Sequence, residues 1–152
     1  MRVLVQRVSK ANLSIDNKPF SSIFKGVCLL VGFTFGDDNK IISKMAEKIS
    51  KMRIFEDENG KTNLSLSSVN GEILAVSQFT LYGSLKDGNR PSFTSSLNYI
   101  EASKLYEDFL VELKKYGFKV ERGIFGADMQ IDLINDGPFT LMLDSKELFL
   151  WK

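Results

Sequence analysis

Three short polar stretches interrupt otherwise apolar segments, and each carries residues able to do chemistry. They are Ser77-Gln78-Phe79-Thr80, Arg90-Pro91-Ser92-Phe93 and Asn135-Asp136-Gly137-Pro138-Phe139-Thr140. Polar groups on a core-facing strand are costly unless a partner satisfies them, so each stretch either bonds a neighbouring strand or serves a site. The chain contains no histidine. That removes Ser-His-Asp triads, Cys-His pairs and imidazole metal sites together. A hydroxyl such as that of Thr80 is a weak nucleophile without an adjacent base, and no Ser-x-x-Lys pattern stands near it. Any reaction here runs without the usual general base.

The third stretch lies between two apolar runs, Met129 to Ile134 and Phe139 to Leu143. Pro138 has no N–H and a fixed φ, and Gly137 can take backbone angles that other residues avoid. The plain reading is a turn between two strands; the sharper one is a rigid backbone device that does selective work. Arg7, embedded in an apolar N-terminal segment, could pair with an acid at a strand end or hold a backbone loop.

The elements that must position these residues follow from periodicity. Met1 to Ser9 reads as a strand, with a second short strand at Asn12 to Asp16 pairing with it and a turn at Asn17-Lys18-Pro19. Gly26 to Phe35 is a continuous apolar run, the pattern of a buried central strand. Cys28 falls within it and reads as a core residue. Ile41, Ile42, Met45, Ala46, Ile49 and Met52 recur at helical spacing behind a cap at Asp37 or Asp38. Lys40, Lys44, Lys48 and Lys51 fall mostly on the opposite face, either simply solvated or facing phosphates.

Arg53 to Glu56, Thr62 to Ser67 and Glu72 to Tyr82 read as strands separated by Asn59-Gly60 and Asn70-Gly71 turns. A loop with Lys86 and Arg90 follows. Asn98 and Glu101 form a capping-box pattern ahead of a helix with Ala102, Leu105, Tyr106, Phe109, Leu110 and Leu113 on its apolar face. Gly117 stops that helix. Phe118 to Arg122 and the two runs flanking Gly137-Pro138 are strands, and Leu148 to Trp151 is a short apolar tail. With two helices and no repeated βαβ unit, the expected fold is α/β: mixed, mostly antiparallel sheets in a barrel-like two-sheet core, with both helices on one side.

Composition bounds the function. The chain has 152 residues, enough for one domain with a substantial core. Its net charge of +1 gives no global electrostatic case for nucleic acid, though it permits a grip on one end of an RNA. A single cysteine excludes an internal disulfide and fits a reducing cytoplasm. No apolar stretch reaches the length of a membrane span, and Arg2 and Arg7 interrupt any leader-like segment. The acidic clusters Asp37-Asp38 and Glu56-Asp57-Glu58 read as solvated turns.

Taken together, the motifs resemble the D-aminoacyl-tRNA deacylases of the bacterial and eukaryotic type. The likeness includes Gln6-Arg7-Val8, Arg53-Ile54-Phe55, Gly60-Lys61, Asn63-Leu64, Ser77-Gln78-Phe79-Thr80-Leu81 and Arg90-Pro91-Ser92-Phe93. It continues through Phe125-Gly126-Ala127-Asp128-Met129-Gln130 to Asn135-Asp136-Gly137-Pro138-Phe139-Thr140. Ser-Gln-x-x-Leu and Asn-x-Gly-Pro-x-Thr are the family's two signatures, and both are intact. A related branch that edits other mischarged tRNAs departs at the Ser-Gln motif, so Ser77-Gln78 argues against it.

The resemblance implies hydrolysis of the ester joining a D-amino acid to the 3′-terminal adenosine of a tRNA, with glycine on tRNA(Ala) accepted as well. It implies Ser77, Gln78, Phe79 and Thr80 at the catalytic centre, with the N–H groups of Phe79 and Thr80 as an oxyanion hole. The substrate's own ribose hydroxyl is thought to assist. It further implies a homodimer in which a cis Gly137-Pro138 peptide reaches into the partner's site and rejects L-amino acids. Arg7, Asn135 and Thr140 would belong to the substrate-binding site and chiral gate, and Phe125 and Met129 would pack against the adenosine or the loop. Neither cofactor nor metal is implied. The rival from another class is a non-catalytic nucleic-acid-binding protein using Lys86, Arg90 and the helix lysines.

Overall fold

The computed structural model describes residues 1–150, so Trp151 of the expected tail lies outside the described residues. The element that organises the rest is one long strand, β1 (Arg2–Ile15). Along one edge its first half pairs antiparallel with β3 (Gly26–Gly32), and its second half with β2 (Lys18–Ile23). Along the other edge it pairs from end to end with β8 (Met129–Asp144). β3 continues in parallel to β6 (Glu72–Ser77), and β6 to β7 (Val120–Arg122). A separate hairpin joins β4 (Arg53–Glu56) and β5 (Thr62–Ser65).

Two helices, α1 (Asn39–Lys51) and α2 (Tyr99–Lys114), cover one face. Each lies in a crossover between parallel strands, α1 between β3 and β6 and α2 between β6 and β7. Two βαβ crossovers are therefore present, contrary to the sequence expectation. The β4–β5 hairpin and the long segment before α2 dilute their spacing. Parallel crossovers share one hand, which is why both helices fall on the same face.

The central run of β3 is apolar throughout because both faces are covered. Val27, Leu29 and Val31, with Ile73 and Ala75 of β6, pack against the helices. Cys28, with Leu74 and Val76, faces a second core inside the curl of the sheet, together with Val8, Ala11, Leu13 and Ile23. Ser21 Oγ donates to Arg122 O at 2.7 Å, drawing β2 toward β7 and nearly closing the barrel. Helix α1 is capped by Asp38, whose side chain accepts the Ile41 N–H at 2.9 Å. Helix α2 is capped by Asn98, which accepts the Glu101 N–H at 3.0 Å, while Glu101 reaches back to the Asn98 amide.

Four expectations change. Asn12–Asp16 is not a separate strand but the continuation of β1. Register irregularities around Val8 switch the strand from the helix-side core, reached by Val3 and Val5, to the interior core, reached by Leu13. Such a slip reverses which residues point to which face. The turn into β2 falls at Asp16 and Asn17, with φ of 52° and 62°, so Lys18 and Pro19 already belong to β2. The two apolar runs around Gly137-Pro138 form the single strand β8, and the strand from Glu72 stops at Ser77. The last two changes shape the site.

Candidate active site

Strand β6 loses its neighbour when β3 ends at Gly32. The Gln78 N–H still reaches Val31 O at 2.7 Å, after which Phe79–Tyr82 winds into a short 3₁₀ turn. That turn folds back over Gly32, where a Cβ would stand 2.9 Å from Gln78 O and 3.1 Å from the Leu81 Cβ, so only glycine fits without a shift. The first N–H groups of a helical turn have no acceptor within it, and here those positions are Phe79 and Thr80. Leu81 N–H is taken by Gln78 O and Gly83 N–H by Thr80 O.

The turn is held from several sides. Gln78 Nε2 donates to Thr80 Oγ1. Ser96 Oγ donates to Phe79 O at 3.0 Å, and the Phe93 ring meets Phe79 edge-on at 5.0 Å. Arg2 Nη1 donates to Leu81 O at 2.9 Å while its Nε binds Asp144 at 3.0 Å, tying the turn to the end of β8.

A cleft of about 570 Å³ opens beside this turn. Val76, Ser77, Gln78 and Phe79 line one side, Leu97 and Tyr99 another, and Phe125 to Met129 with Ile131 a third. Tyr99 and Phe125 meet edge-on at 5.0 Å, and Gly126, at φ 79°, passes close under the Tyr99 ring. Phe79 and Tyr99 remain more than half exposed, at 54% and 63%. Asp128 is the only charged side chain among the lining residues. The cleft thus offers aromatic surface and short polar groups, next to a turn whose first N–H groups have no acceptor within it.

The second signature builds a different object. Gln6 faces Thr140 and Val8 faces Asn135 across the β1–β8 pair, so Asp136, Gly137, Pro138 and Phe139 bulge out opposite the single residue Arg7. Asn135 closes the base of the bulge: its Oδ1 accepts the Phe139 N–H at 2.8 Å and its Nδ2 donates to Thr140 Oγ1 at 2.7 Å. Arg7, only 7% exposed, donates Nε to Asp136 O at 2.9 Å and Nη1 to Ile54 O at 2.7 Å. Its guanidinium lies 4.7 Å from the Phe139 ring centre. The Gly137-Pro138 peptide is cis, and Gly137 has φ 137°. Arg7 therefore has backbone partners, not the strand-end acid that the sequence left open.

The structure brings Ser77, Gln78, Phe79, Phe125 and Met129 to one cleft. Thr80 adjoins it through the turn, and its hydroxyl is engaged by Gln78. Arg7, Asn135, Gly137, Pro138 and Thr140 form the separate bulge, and none lines the same chain's cleft. Leu97 and Tyr99 line the cleft without having been legible in sequence. An aromatic at the first position of a capped helix was the available signal for Tyr99. Among the described residues, no group of three or more His, Cys, Asp or Glu gathers as metal ligands, and no helix is long and apolar enough to cross a membrane.

Comparison with known proteins gives the chemistry its class. A D-aminoacyl-tRNA deacylase of Lactobacillus acidophilus is 58% identical over 144 residues, covering 95% of this chain and 99% of the relative. One from Thermosipho africanus is 50% identical over 149 residues, covering 98% and 100%. Among solved structures, a c-Myc DNA unwinding element binding protein superposes with a TM-score of 0.89 at 38% identity, covering 95% of this chain and 98% of that one. A probable eukaryotic D-amino acid tRNA deacylase shares the fold, with a TM-score of 0.82 at 18% identity and coverage of 93% and 97%. The class is that of hydrolases acting on the ester of an aminoacyl-tRNA. The profile described as D-Tyr-tRNA(Tyr) deacylase matches residues 4–144, and the chain belongs to that family.

Proposed function

We propose that this protein hydrolyses D-aminoacyl-tRNA, and glycine mischarged on tRNA(Ala), in the cytoplasm as a chiral proofreading enzyme, and that it does so as a homodimer. The terminal adenosine lies in the cleft against Phe125, Met129 and Tyr99. Water attacks the ester carbonyl, the N–H groups of Phe79 and Thr80 receive the developing oxyanion, and the carbonyl's bond to the ribose oxygen breaks. That oxygen takes a proton, and free tRNA and the amino acid leave. An ester's alkoxide leaving group needs less help than an amide nitrogen, which suits a cleft without histidine. Loss of one oxyanion donor typically costs about 10²–10³ in rate, so two backbone donors account for a large part of the catalysis, with the ribose hydroxyl assisting.

Selection falls to the bulge. A side-chain pocket would have to change with every amino acid, whereas backbone at the α-carbon reads only handedness. In this reading the Gly137 and Pro138 carbonyls of one copy face the α-carbon in its partner's cleft, excluding an L side chain and passing D-amino acids and glycine. The observation that carries it is the four-residue bulge itself: it is braced from behind by Arg7 and Asn135 yet lines no cleft of its own chain. Exposed apolar side chains along β8, Ile134 at 50% and Met142 at 47%, suit a surface covered by a second copy. The test is paired hydrolysis of D-Tyr-tRNA and L-Tyr-tRNA, with the mass of the species in solution measured alongside.

A further inference from the structure

Helix α1 carries Lys40, Lys44, Lys48 and Lys51 against one acid, Glu47, on a chain whose net charge is only +1. Three net positive charges therefore sit on one helix, and the remaining residues together are net negative. All four lysines are exposed on the side opposite the buried Ile41, Ile42, Met45, Ala46 and Ile49. Two steps of four residues and one of three put successive lysine positions about 6 Å and then about 4.5 Å apart along the axis, and the row from Lys40 to Lys51 covers about 16 Å.

Two features set this row apart from an ordinary solvated face. On α2 and just beyond it, Lys104 and Lys115 are paired with Asp108 and Glu112, and of the lysines there only Lys114 has no carboxylate partner among the described residues. On α1, only Lys51 has a carboxylate within ion-pair distance among the described residues, and Lys40, Lys44 and Lys48 have none. In addition, the first turn of α1 holds no acid but does hold Lys40, where the helix dipole disfavours a cation. The sequence thus concentrates unpaired charge at some cost to the helix.

The segment that leads into the row and the cleft share a neighbour, Leu97. The segment entering α1, Gly36 and Asp37, shares a surface hollow with Leu97 and Glu101, and Leu97 also lines the cleft. The acids between them are engaged: Asp37 with the Met1 ammonium at 2.7 Å, Asp38 with the Ile41 N–H, and Glu101 with Asn98. We propose that the lysine face of α1 docks the phosphodiester backbone of the tRNA acceptor arm while its 3′ end occupies the cleft. This rests on the deacylase reading and adds where the body of the substrate is held. Recognition is by charge and spacing, without base contacts, so it serves tRNAs of many sequences.

The experiment compares the wild-type enzyme with Lys40→Glu/Lys44→Glu/Lys48→Glu and with the corresponding triple Gln variant. Substrates are D-Tyr-tRNA and the minimal ester 3′-O-D-tyrosyl-adenosine, and binding of uncharged tRNA is followed by fluorescence anisotropy. The expected result is a rise of at least tenfold in KM for D-Tyr-tRNA and in the Kd for uncharged tRNA, with turnover of the minimal ester unchanged. The salt dependence of log Kd should flatten by about 3, as expected when about three phosphate contacts to a duplex are lost. The Gln variant should show a smaller loss in the same direction. Unchanged tRNA affinity, or equal losses on both esters, overturns the proposal. The binding arm separates it from the deacylase reading: if the wild type hydrolyses neither ester but the triple variant still loses tRNA affinity, the docking face stands and the deacylase reading falls.

Discussion

Replacing Arg7 with Met tests the selective role proposed for the Gly137-Pro138 bulge separately from the stability of the fold. Arg7 makes two bonds to backbone carbonyls, one to Asp136 O inside the bulge at 2.9 Å and one to Ile54 O on β4 at 2.7 Å. A hydrogen bond from a charged donor is worth about 1.5–3 kcal/mol. Arg7 has no carboxylate partner among the described residues and is only 7% exposed, so its own desolvation offsets part of this. Met removes that desolvation cost while keeping much of the packing against Phe139. Overall stability should therefore fall by less than the two bonds sum to, about 1–3 kcal/mol.

The bulge, however, loses the bond to Asp136 O outright and keeps only the Asn135 closure at its base. A loss of 1.5–3 kcal/mol in holding the loop corresponds to about ten- to a hundredfold in its correctly placed population. The D-over-L ratio of kcat/KM should fall by that factor, more than the rate on D-Tyr-tRNA does. The assay is deacylation of both enantiomers, with urea unfolding as the control. An unchanged ratio in a folded variant would refute the idea that Arg7 aims the loop.

Two further predictions follow. Thr80→Ala should retain kcat within about fivefold, because the hydroxyl makes one hydrogen bond, to Gln78, of about 1 kcal/mol and has no adjacent base; complete loss in a folded protein would make Thr80 a nucleophile. Burial raises the Cys28 thiol from 9.0 to about 12, and burial also raises the Tyr106 hydroxyl from 10.0 to about 12. Both groups stay neutral in the fold where the unfolded chain would ionise. Their contribution is thus full below pH 9 and is lost as pH rises toward 12. Urea midpoints should fall across that window, and less steeply in Cys28→Ala; a flat profile would contradict the assignment.

Much of the scaffold was legible because local pattern and tertiary role agree. The apolar faces of α1 and α2, the Asn98 cap and the doubly covered run of β3 each follow from spacing alone, while the α1 cap is narrowed by sequence only to Asp37 or Asp38 and is Asp38 in the fold. What escaped depends on partners distant in sequence. The strand from Glu72 looks continuous to Tyr82 because Phe79 and Leu81 keep the alternation, yet it ends where β3 stops offering hydrogen bonds. The Gly-Pro break reads as a turn between two strands, but β1 pairs on both sides of it and makes it a bulge within one strand. The role of Asn135 and Thr140 in closing that bulge, and of Ile54 in holding Arg7, is visible only in three dimensions. Tyr99 escaped because an exposed aromatic at a helix start carries no periodic signal.

The claim on which the account depends most is that handedness, not side-chain identity, decides turnover. It is tested most directly by measuring deacylation of D-Tyr-tRNA and L-Tyr-tRNA by the same enzyme preparation, with spontaneous hydrolysis as the baseline. The account predicts rapid release from the D ester and a rate indistinguishable from baseline for the L ester. Equal rates on the two would contradict it.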